Sequence, residues 1–392
     1  MGTAGGVFEA VDRIGGQPIS ARMARRAPIK HLDPTLLLTT LALGAFGAVM
    51  VFTATASKLE DQGLDPGLFL KRQVIFGAVG AALLLAVSFF DYRYWRAFAP
   101  FVFGASLIAL VVVLSPLGDV QEGARRWINF GAFQAQPSEL AKIGGIVALA
   151  AYVAERKGDL RTLDVLVACG IVAVPMGLIF LEPDLGTAVS FVALLGGALL
   201  VGGAKLRHFL MLAFFGVAGA FVMIQGNFLH DYQVERLTAF LDPNPDVRSE
   251  GWNLAQSKIA IGSGGMTGKG LESENTQTTL DFVPEQHTDF IFTAVGEQLG
   301  FLGSAVLLGL FVFLIWRALR IAALSRDLFG TLLASGIAAL WSFQVFINVG
   351  MTMGIMPITG IPLPFISYGG SSLITHFLAV GLLLNIHMRR YL

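Results

Sequence analysis

The residues best suited to chemistry are carboxylates in DFVPEQHTDFIF, residues 281–292, where a polar stretch meets an apolar one. Pro284 favours the first turn of a helix, which would place Glu285 and Asp289 four residues apart on one face. Glu285 either binds substrate or only complements the helix dipole, because acidic side chains are favoured at a helix N-terminus. Asp289 stands where the chain enters hydrocarbon, and a carboxylate there is costly unless it is paired or faces a wet cavity. We therefore predict that Asp289 performs acid–base chemistry, with His287 close by but off this face.

A second set of candidates combines positive charge with an aromatic ring. Arg125, Arg126 and Trp127 are consecutive, and arginine beside an indole suits recognition of a phosphate or a sugar ring. Trp127 is also typical of an interfacial anchor, because tryptophan favours the headgroup level of a membrane. Glu139 and Lys142 are three residues apart where an apolar segment begins. They either neutralise each other inside the protein or line a polar cavity.

A glycine-rich stretch, GSGGMTGKG at residues 262–270, has basic residues nearby. Residues 252–261 before it have helical spacing and favour an amphipathic helix on the membrane surface. The stretch lacks the GxxxxGK[ST] pattern of the phosphate-binding loop found in nucleotide hydrolases. It is either a flexible hinge or a backbone cradle for a phosphate or a sugar, with Lys258 and Lys269 beside it.

The composition shows what kind of protein must position these residues. Of 392 residues, 55% are hydrophobic and 14% are charged, and the mean hydropathy is +0.69, whereas soluble domains carry about 25% charged residues. Such a chain is neither disordered nor suited to a soluble enzyme. Its 27 basic and 27 acidic residues give no basic excess for binding nucleic acid. The single cysteine, Cys169, excludes an internal disulfide and a cysteine-based metal site. What remains is a polytopic membrane protein.

The apolar segments define its organisation. A helix needs about 20 apolar residues to cross roughly 30 Å of hydrocarbon. We predict an all-α fold with ten transmembrane helices in residues 34–392, preceded by a basic tail at residues 1–33. The predicted spans lie near residues 35–56, 73–90, 97–115, 139–154, 164–181, 187–203, 209–225, 290–316, 328–350 and 372–388.

The distribution of charges predicts the orientation. If the N-terminus is cytoplasmic, the tail and the short loops on that side carry most of the lysine and arginine residues, as the positive-inside rule requires. An even number of spans then places both termini in the cytoplasm. The large loop between spans 7 and 8, residues 226–289, is extracytoplasmic and acidic. Charged residues of the spans lie near their outer ends, which favours a site open to the outer surface over a pathway through the membrane.

Six motifs follow one another along the chain: ARRWI, QPSEL, EPDLGT, QSKIAIGSGG, PEQHTDFIF and GIPLPFISYGGSS. Together, and in this order, they resemble signatures of the SEDS family, which includes RodA, FtsW and SpoVE. The resemblance covers about residues 28–390. Within the family the chain is more similar to RodA, on the basis of Lys258 in the fourth motif, the GKG that follows it and the segment MPITGIPLPF.

The resemblance implies a RodA-like peptidoglycan glycosyltransferase in the cytoplasmic (inner) membrane. Such an enzyme polymerises lipid II into glycan strands at the outer face of the membrane during cell elongation. Its implied partners are a class B penicillin-binding protein, the nascent glycan and other proteins of the elongation complex. Asp289 matches the proposed catalytic aspartate of the family and would be the general base, and Trp127 matches a position needed for activity. An α-linked donor and a β-linked product imply an inverting displacement that releases undecaprenyl pyrophosphate.

Departure of a pyrophosphate requires positive charge nearby. The sequence does not choose among six sources: Arg125, Arg126, Lys142, Lys258, Lys269, or a divalent cation such as Mg²⁺ or Mn²⁺ held by outer acids. The residues expected to bind substrate are Arg125, Arg126, Trp127, Glu139, Lys142, Lys258, Lys269, Glu285 and His287. The lipid tail would need an apolar groove open to the bilayer, expected between the early spans. Alternative functions are a flippase for the lipid-linked precursor, an FtsW-like division polymerase and a non-catalytic scaffold.

Overall fold

The computed structural model describes residues 31–121, 124–131, 133–156, 160–226, 231–239, 250–271, 276–278 and 286–390. Most of the predicted tail and Glu285 lie outside these ranges. Within them the chain forms thirteen helices: α1 (Pro34–Asp61), α2 (Leu68–Phe89), α3 (Tyr92–Ala97), α4 (Ala99–Leu114), α5 (Pro137–Ala154), α6 (Thr162–Leu181), α7 (Leu185–Val201), α8 (Leu206–Gln225), α9 (Asp231–Thr238), α10 (Glu250–Ser263), α11 (Ile291–Ala323), α12 (Leu328–Thr352) and α13 (Gly370–Arg389). They also contain a small sheet of strands β1 (Asp119–Gln121), β2 (Ala124–Asn129) and β3 (Gln134–Ala135).

The ten predicted spans are confirmed as helices. Eight helices in the described ranges are long and apolar enough to cross a membrane, and α4 and α7 are shorter apolar helices of 16 and 17 residues. Their ends differ from the predicted ones by a few residues. The largest difference is α11, which continues to Ala323 and is 33 residues long. The all-α fold class of a polytopic membrane protein is therefore confirmed.

The centre of the bundle is formed by α5, α12 and α13, whose residues are mostly buried. Helix α13 packs along α2, and α12 packs against α5, α7 and α11. A Cβ atom on Gly381 would lie 2.7 Å from the backbone oxygen of Leu84, so only glycine permits this approach of α13 to α2. Helix α8 lies at the periphery, where Phe214 and Val217 are 68% and 72% exposed, as expected of a surface that faces lipid.

The link between α4 and α5 carries the three-stranded sheet. Its strands are antiparallel in the order β1-β2-β3, with Val120 opposite Arg125 and Ile128 opposite Ala135. The strand β2 contains the whole ARRWI motif. No sheet was predicted from the sequence here. Pairing on both sides of β2 fixes the direction of its side chains.

Helix α11 is broken at Gly300, which has a φ of 65°. The glycine-rich stretch at residues 262–270 packs into the break. The backbone N–H groups of Lys269 and Gly270 donate to carbonyl groups of α11, and that of Phe301 donates back to the stretch, all at 2.9–3.0 Å. These bonds replace those that a continuous helix would make. The stretch is therefore neither a free hinge nor an open phosphate cradle, because its backbone supports the broken helix.

The helix predicted at residues 252–261 is confirmed as α10, and it rests on the bundle. Ser257 Oγ lies 2.5 Å from Thr293 Oγ1 and donates to the Thr352 carbonyl at 2.9 Å. The buried side of α10 thus faces α11 and α12, while Ile259 is 53% exposed. Together, α9, α10 and the glycine-rich stretch cover the end of the bundle at which Asp289 lies.

Candidate active site

A cavity of about 1420 Å³ lies at this end of the bundle, and it brings together residues from most parts of the chain. One part of its wall is polar and includes Arg72, Arg126, Trp127, Gln134, Glu139, Asp184, Tyr232, Gln233, Arg236, Asn253, His287, Asp289 and Tyr368. Another part is apolar and is formed by α6, α7 and α8. The cavity can therefore receive a molecule with a polar head and an apolar tail.

Asp289 lies in the polar part, half-buried, on a segment held from three sides. The Asn348 side-chain amide donates to the Asp289 carbonyl at 2.8 Å. The backbone N–H of Tyr368 donates to the His287 carbonyl at 2.9 Å, and the Gln286 amide donates to Thr278 Oγ1 at 3.1 Å. These contacts fix the backbone that carries the carboxylate.

The predicted helical face through Asp289 is wrong. Residues 286–290 form turns and α11 begins at Ile291, so Asp289 precedes the helix. The reason is that the carbonyl groups of His287 and Asp289 are bound by partners outside the helix. The expected i,i+4 relationship to Glu285 involves a residue outside the described ranges.

Arg236 on α9 lines the cavity and was not predicted from the sequence. A Cβ atom on Gly360 would lie 3.1 Å from Asp289 Oδ2 and 3.5 Å from Arg236 Nη1. The carboxylate and the guanidinium thus flank the same glycine, whose φ of 70° also favours glycine. Tyr232 and Arg236 are four residues apart in DYQVERLT, which predicts that they share one face of a helix. This spacing does not show that the face meets Asp289.

Arg126 faces the cavity and braces the EPDLGT turn. Its Nε donates to the Glu182 carbonyl at 3.1 Å and its Nη2 to the Pro183 carbonyl at 2.5 Å. The Tyr232 hydroxyl donates to the same Pro183 carbonyl at 3.2 Å. Trp127 lines the cavity beside Arg126. The EPDLGT turn between α6 and α7 therefore accepts hydrogen bonds from both β2 and α9.

Glu182, in that turn, is fully buried, and its carboxyl oxygens have no hydrogen-bond partner within the described residues. Burial raises the pKa of Glu182 to about 9, the Asp184 carboxylate adds to the rise, and Arg126 opposes it. Glu182 is therefore neutral at pH 7. Because Arg126 bonds to backbone carbonyls rather than to an ionised Glu182, its positive charge stays available to the cavity.

Glu139 and Lys142 form the buried pair that their spacing suggested. Lys142 Nζ lies 2.7 Å from Glu139 Oε1, and each side chain is 1% exposed. Glu139 also lines the cavity, whereas Lys142 does not. Glu139 is therefore both paired with a buried cation and part of the cavity wall, as the two expectations proposed. Lys142 is outside the wall and neutralises Glu139.

The remaining basic candidates lie outside the cavity wall. Lys269 Nζ donates to Glu297 Oε1 at 2.8 Å, and Glu297 is fully buried. Lys258 extends from the exposed side of α10 towards Gly354, and Arg125 is exposed on β2. Of the five basic side chains expected near a pyrophosphate, the structure places Arg126 alone in the cavity wall, and it adds Arg72 and Arg236.

His287 lines the cavity with its ring against two aromatic neighbours. The ring centroids lie 5.0 Å from Phe69 and 5.6 Å from Tyr368. Among the residues that the structure describes, no group of three or more histidine, cysteine, aspartate or glutamate side chains is arranged to hold a metal ion. The lysine and arginine side chains of the described wall are Arg72, Arg126 and Arg236.

The apolar part of the wall lies between α6, α7 and α8, whereas the groove for a lipid tail was expected between the early spans. It is lined by Ala173, Met176, Gly177, Phe180, Leu185, Ala188, Val189, Val192, Phe215, Gly216, Gly219, Ala220 and Met223. Val189, Val192 and Phe215 are 41%, 52% and 64% exposed. Because these exposed apolar side chains lie on membrane helices, this part of the wall faces lipid.

This architecture defines a polytopic membrane protein with a cavity for an amphipathic molecule. The chain belongs to the FtsW/RodA/SpoVE family of cell cycle proteins, whose pattern matches residues 34–392. It is 40% identical to the probable peptidoglycan glycosyltransferase FtsW of Trichlorobacter lovleyi, over 91% of this chain and 93% of that one. It is 38% identical to the peptidoglycan glycosyltransferase MrdB of Escherichia coli K12, over 92% and 94%.

A solved structure has the same fold along nearly the whole chain. It belongs to a peptidoglycan synthase complex studied for the structural coordination of polymerization and crosslinking. The TM-score is 0.76 at 34% identity, covering 92% of this chain and 98% of that one. The family predicted from the six motifs is therefore confirmed.

Proposed function

We propose that this protein is a peptidoglycan glycosyltransferase that polymerises lipid II. The observation that carries the proposal is the two-part cavity, with Asp289 in its polar wall and a lipid-facing apolar wall between α6, α7 and α8. Lipid II has the matching parts, a sugar–pyrophosphate head and a long polyprenyl tail. The relatives named as peptidoglycan glycosyltransferases support the same activity.

In the proposed reaction, Asp289 is the general base. Its carboxylate takes the proton from the 4-hydroxyl of the acceptor sugar while that oxygen attacks the anomeric carbon of the donor. The new glycosidic bond forms as the bond to pyrophosphate breaks, and the electron pair leaves on undecaprenyl pyrophosphate. Attack from the opposite side inverts the anomeric carbon, so an α-linked donor gives a β-linked strand.

The leaving pyrophosphate gains negative charge, which requires positive charge fixed in advance. Arg126 and Arg236 line the cavity from β2 and α9, and Arg236, like Asp289, lies next to Gly360. Arginine suits this role because its planar guanidinium binds phosphate oxygens in pairs. We assign both arginines to the pyrophosphate, and Trp127 to stacking on a sugar or bracing the wall beside it.

The charge distribution supports an orientation in which the cavity faces the outside of the cytoplasmic membrane. We propose a class B penicillin-binding protein as the partner, in line with the synthase complex that shares this fold. We also propose the elongation branch, supported by the sequence around Lys258. In rod-shaped cells depleted of their elongation polymerase, the chain should restore rod shape. Restored division without restored shape would instead indicate an FtsW-like role.

The direct test is polymerisation of labelled lipid II by the purified protein in liposomes, with and without its partner, in EDTA, Mg²⁺ or Mn²⁺. We expect glycan chains from the wild type and from Asp61→Asn, a control that alters an exposed carboxylate at the end of α1. Asp289→Asn and Asp289→Ala should form none. A lipid translocation assay on the same liposomes distinguishes a flippase. Normal polymerisation by folded Asp289 variants would contradict the site.

A further inference from the structure

Asn348, on α12, joins two irregular segments that meet at the cavity. It is fully buried, and its side-chain nitrogen donates to the carbonyl groups of Asp289 and Ile361, at 2.8 Å each. Asp289 belongs to the turns before α11, and Ile361 belongs to the link between α12 and α13. Neither residue lies in a helix or strand, so regular secondary structure does not hold the two segments at this distance.

The second segment lies directly beside the carboxylate. Gly360, which precedes Ile361, is the residue whose Cβ position would lie 3.1 Å from Asp289 Oδ2. The spacing between the carboxylate and this segment therefore depends on how the two backbones are tied together. Asn348 ties them from a long helix, and a side chain on a rigid element holds a site more accurately than one on a loop.

The chemistry of the amide suits this task. One planar NH₂ group has two hydrogens, and here both are directed to carbonyl oxygens. Leucine has a similar shape but no donor. Aspartate also has a similar shape, but when ionised it would place negative charge against the same two carbonyls.

We propose that Asn348 is a positioning residue, which sets the distance between Asp289 and the Gly360 segment. This role rests on the proposed function of Asp289 as a general base. A displacement of about 1 Å can lower a reaction rate on the order of 100-fold. In the proposed function the lipid tail binds between α6, α7 and α8, and Asn348 lies on α12. Loss of the amide should therefore lower kcat and leave the KM for lipid II nearly unchanged.

The chain offers a matched control on the same helix. Gln344 lies four residues before Asn348 and is also fully buried, but its amide has no hydrogen-bond partner in the described part of the chain. Asn348→Leu and Gln344→Leu thus remove similar buried amides, of which the first alone bonds to the Asp289 segment. We expect Asn348→Leu to lower kcat by about 10- to 100-fold, with KM within about twofold. Gln344→Leu should keep the kcat of the wild type.

Asn348→Asp provides a second variant if Asn348→Leu folds poorly. Its carboxyl group, when protonated, returns one donor, so its kcat relative to the wild type should rise as the pH is lowered from about 8 to about 6. Asn348→Leu should show no such rise. A general packing defect would not produce this pH-dependent rescue.

Amide hydrogen exchange measures the positioning without activity. In Asn348→Leu, the Tyr368 amide, which donates to the His287 carbonyl, should exchange faster than in Gln344→Leu. Unchanged kcat and exchange in Asn348→Leu would overturn the proposal, as would equal losses in both leucine variants. If the wild type forms no glycan, the proposed function fails, and the exchange measurement still decides whether Asn348 holds the segment.

Discussion

Lys142 Nζ lies 2.7 Å from Glu139 Oε1 in the first turns of α5, with both side chains almost fully buried. A buried pair contributes little when intact, but removal of one partner leaves an uncompensated charge. We expect Lys142→Met to lower the free energy of unfolding by about 3–5 kcal/mol. Glu139→Gln combined with Lys142→Met should recover most of this loss, because both charges are then absent. Thermal unfolding in detergent measures both variants.

The exposed pair Lys71–Asp65 provides the control. Its side chains are 67% and 51% exposed, so solvent screens the attraction. Lys71→Met should change the stability by less than about 1 kcal/mol. If Lys71→Met and Lys142→Met cost the same, or if the double variant is no more stable than Lys142→Met, the buried pair does not act as described.

The glycine-rich stretch gives a prediction about packing. A Cβ atom on Gly264 would lie 2.0 Å from the Gly296 carbonyl oxygen, so Gly264→Ala must push the stretch away from α11. A Cβ on Gly262 would meet no atom within 4 Å among the described residues, and Gly262 lies in α10. Gly262→Ala should therefore be neutral or stabilise the helix by up to about 1 kcal/mol. Gly264→Ala should lower the unfolding temperature and the yield of folded protein.

A phosphate cradle would give a different pattern. Ligand binding would then depend on exposed amides of the stretch, and Gly264→Ala would weaken lipid II binding without a change in unfolding temperature. Equal stability of Gly262→Ala and Gly264→Ala would show that the stretch does not pack into the break at Gly300.

The spans and the position of Asp289 in a polar cavity were predictable, because each follows from a local free-energy cost. Hydrocarbon requires long apolar helices, and a carboxylate at its edge requires a polar surrounding. The break at Gly300 was not predicted, since apolar residues continue on both sides of it and glycine is frequent inside membrane helices. The bonds that replace the helical ones come from residues 262–270, which are distant in sequence and could not be assigned to it.

The basic side chains that reach the site could also not be predicted from the sequence. Arg125 and Arg126 are neighbours of one residue type, yet only Arg126 reaches the cavity and the EPDLGT turn. Lys269 was as plausible as Arg126, but Glu297 binds it. Which cation meets the carboxylate depends on how α9 and β2 pack over the bundle. This tertiary packing cannot be predicted from the spacing of charged residues along the sequence.

Glu182 gives a prediction about pH. Its pKa is raised to about 9 in the folded protein, above its ordinary value of 4.5. Between these values the unfolded chain is ionised while the folded protein keeps the proton. Stability is therefore complete below the lower value and falls by about 1.4 kcal/mol per pH unit as the pH rises through this range. Glu182→Gln stays neutral and should remove this slope.

Thermal unfolding from pH 6 to pH 9 tests this prediction. The difference in unfolding temperature between Glu182→Gln and the wild type should grow in favour of the variant as the pH rises. Glu60→Gln alters an exposed side chain on α1 and serves as the control with the slope of the wild type. Parallel pH profiles for Glu182→Gln and the wild type would mean that Glu182 is ionised in the folded protein.

The adjacent arginines of β2 allow a final test of the site. Arg126→Gln removes a positive charge from the cavity and two hydrogen bonds to the turn at Glu182 and Pro183. We expect it to lower lipid II polymerisation by about 10-fold or more, because the leaving pyrophosphate loses a fixed cation. Arg125→Gln changes the exposed neighbour on the same strand and should stay within about twofold of the wild type. Arg126→Lys keeps the charge but cannot bridge both carbonyls, so intermediate activity is expected. Equal activities of the two glutamine variants would remove Arg126 from the catalytic site and leave Arg72 and Arg236 to hold the pyrophosphate.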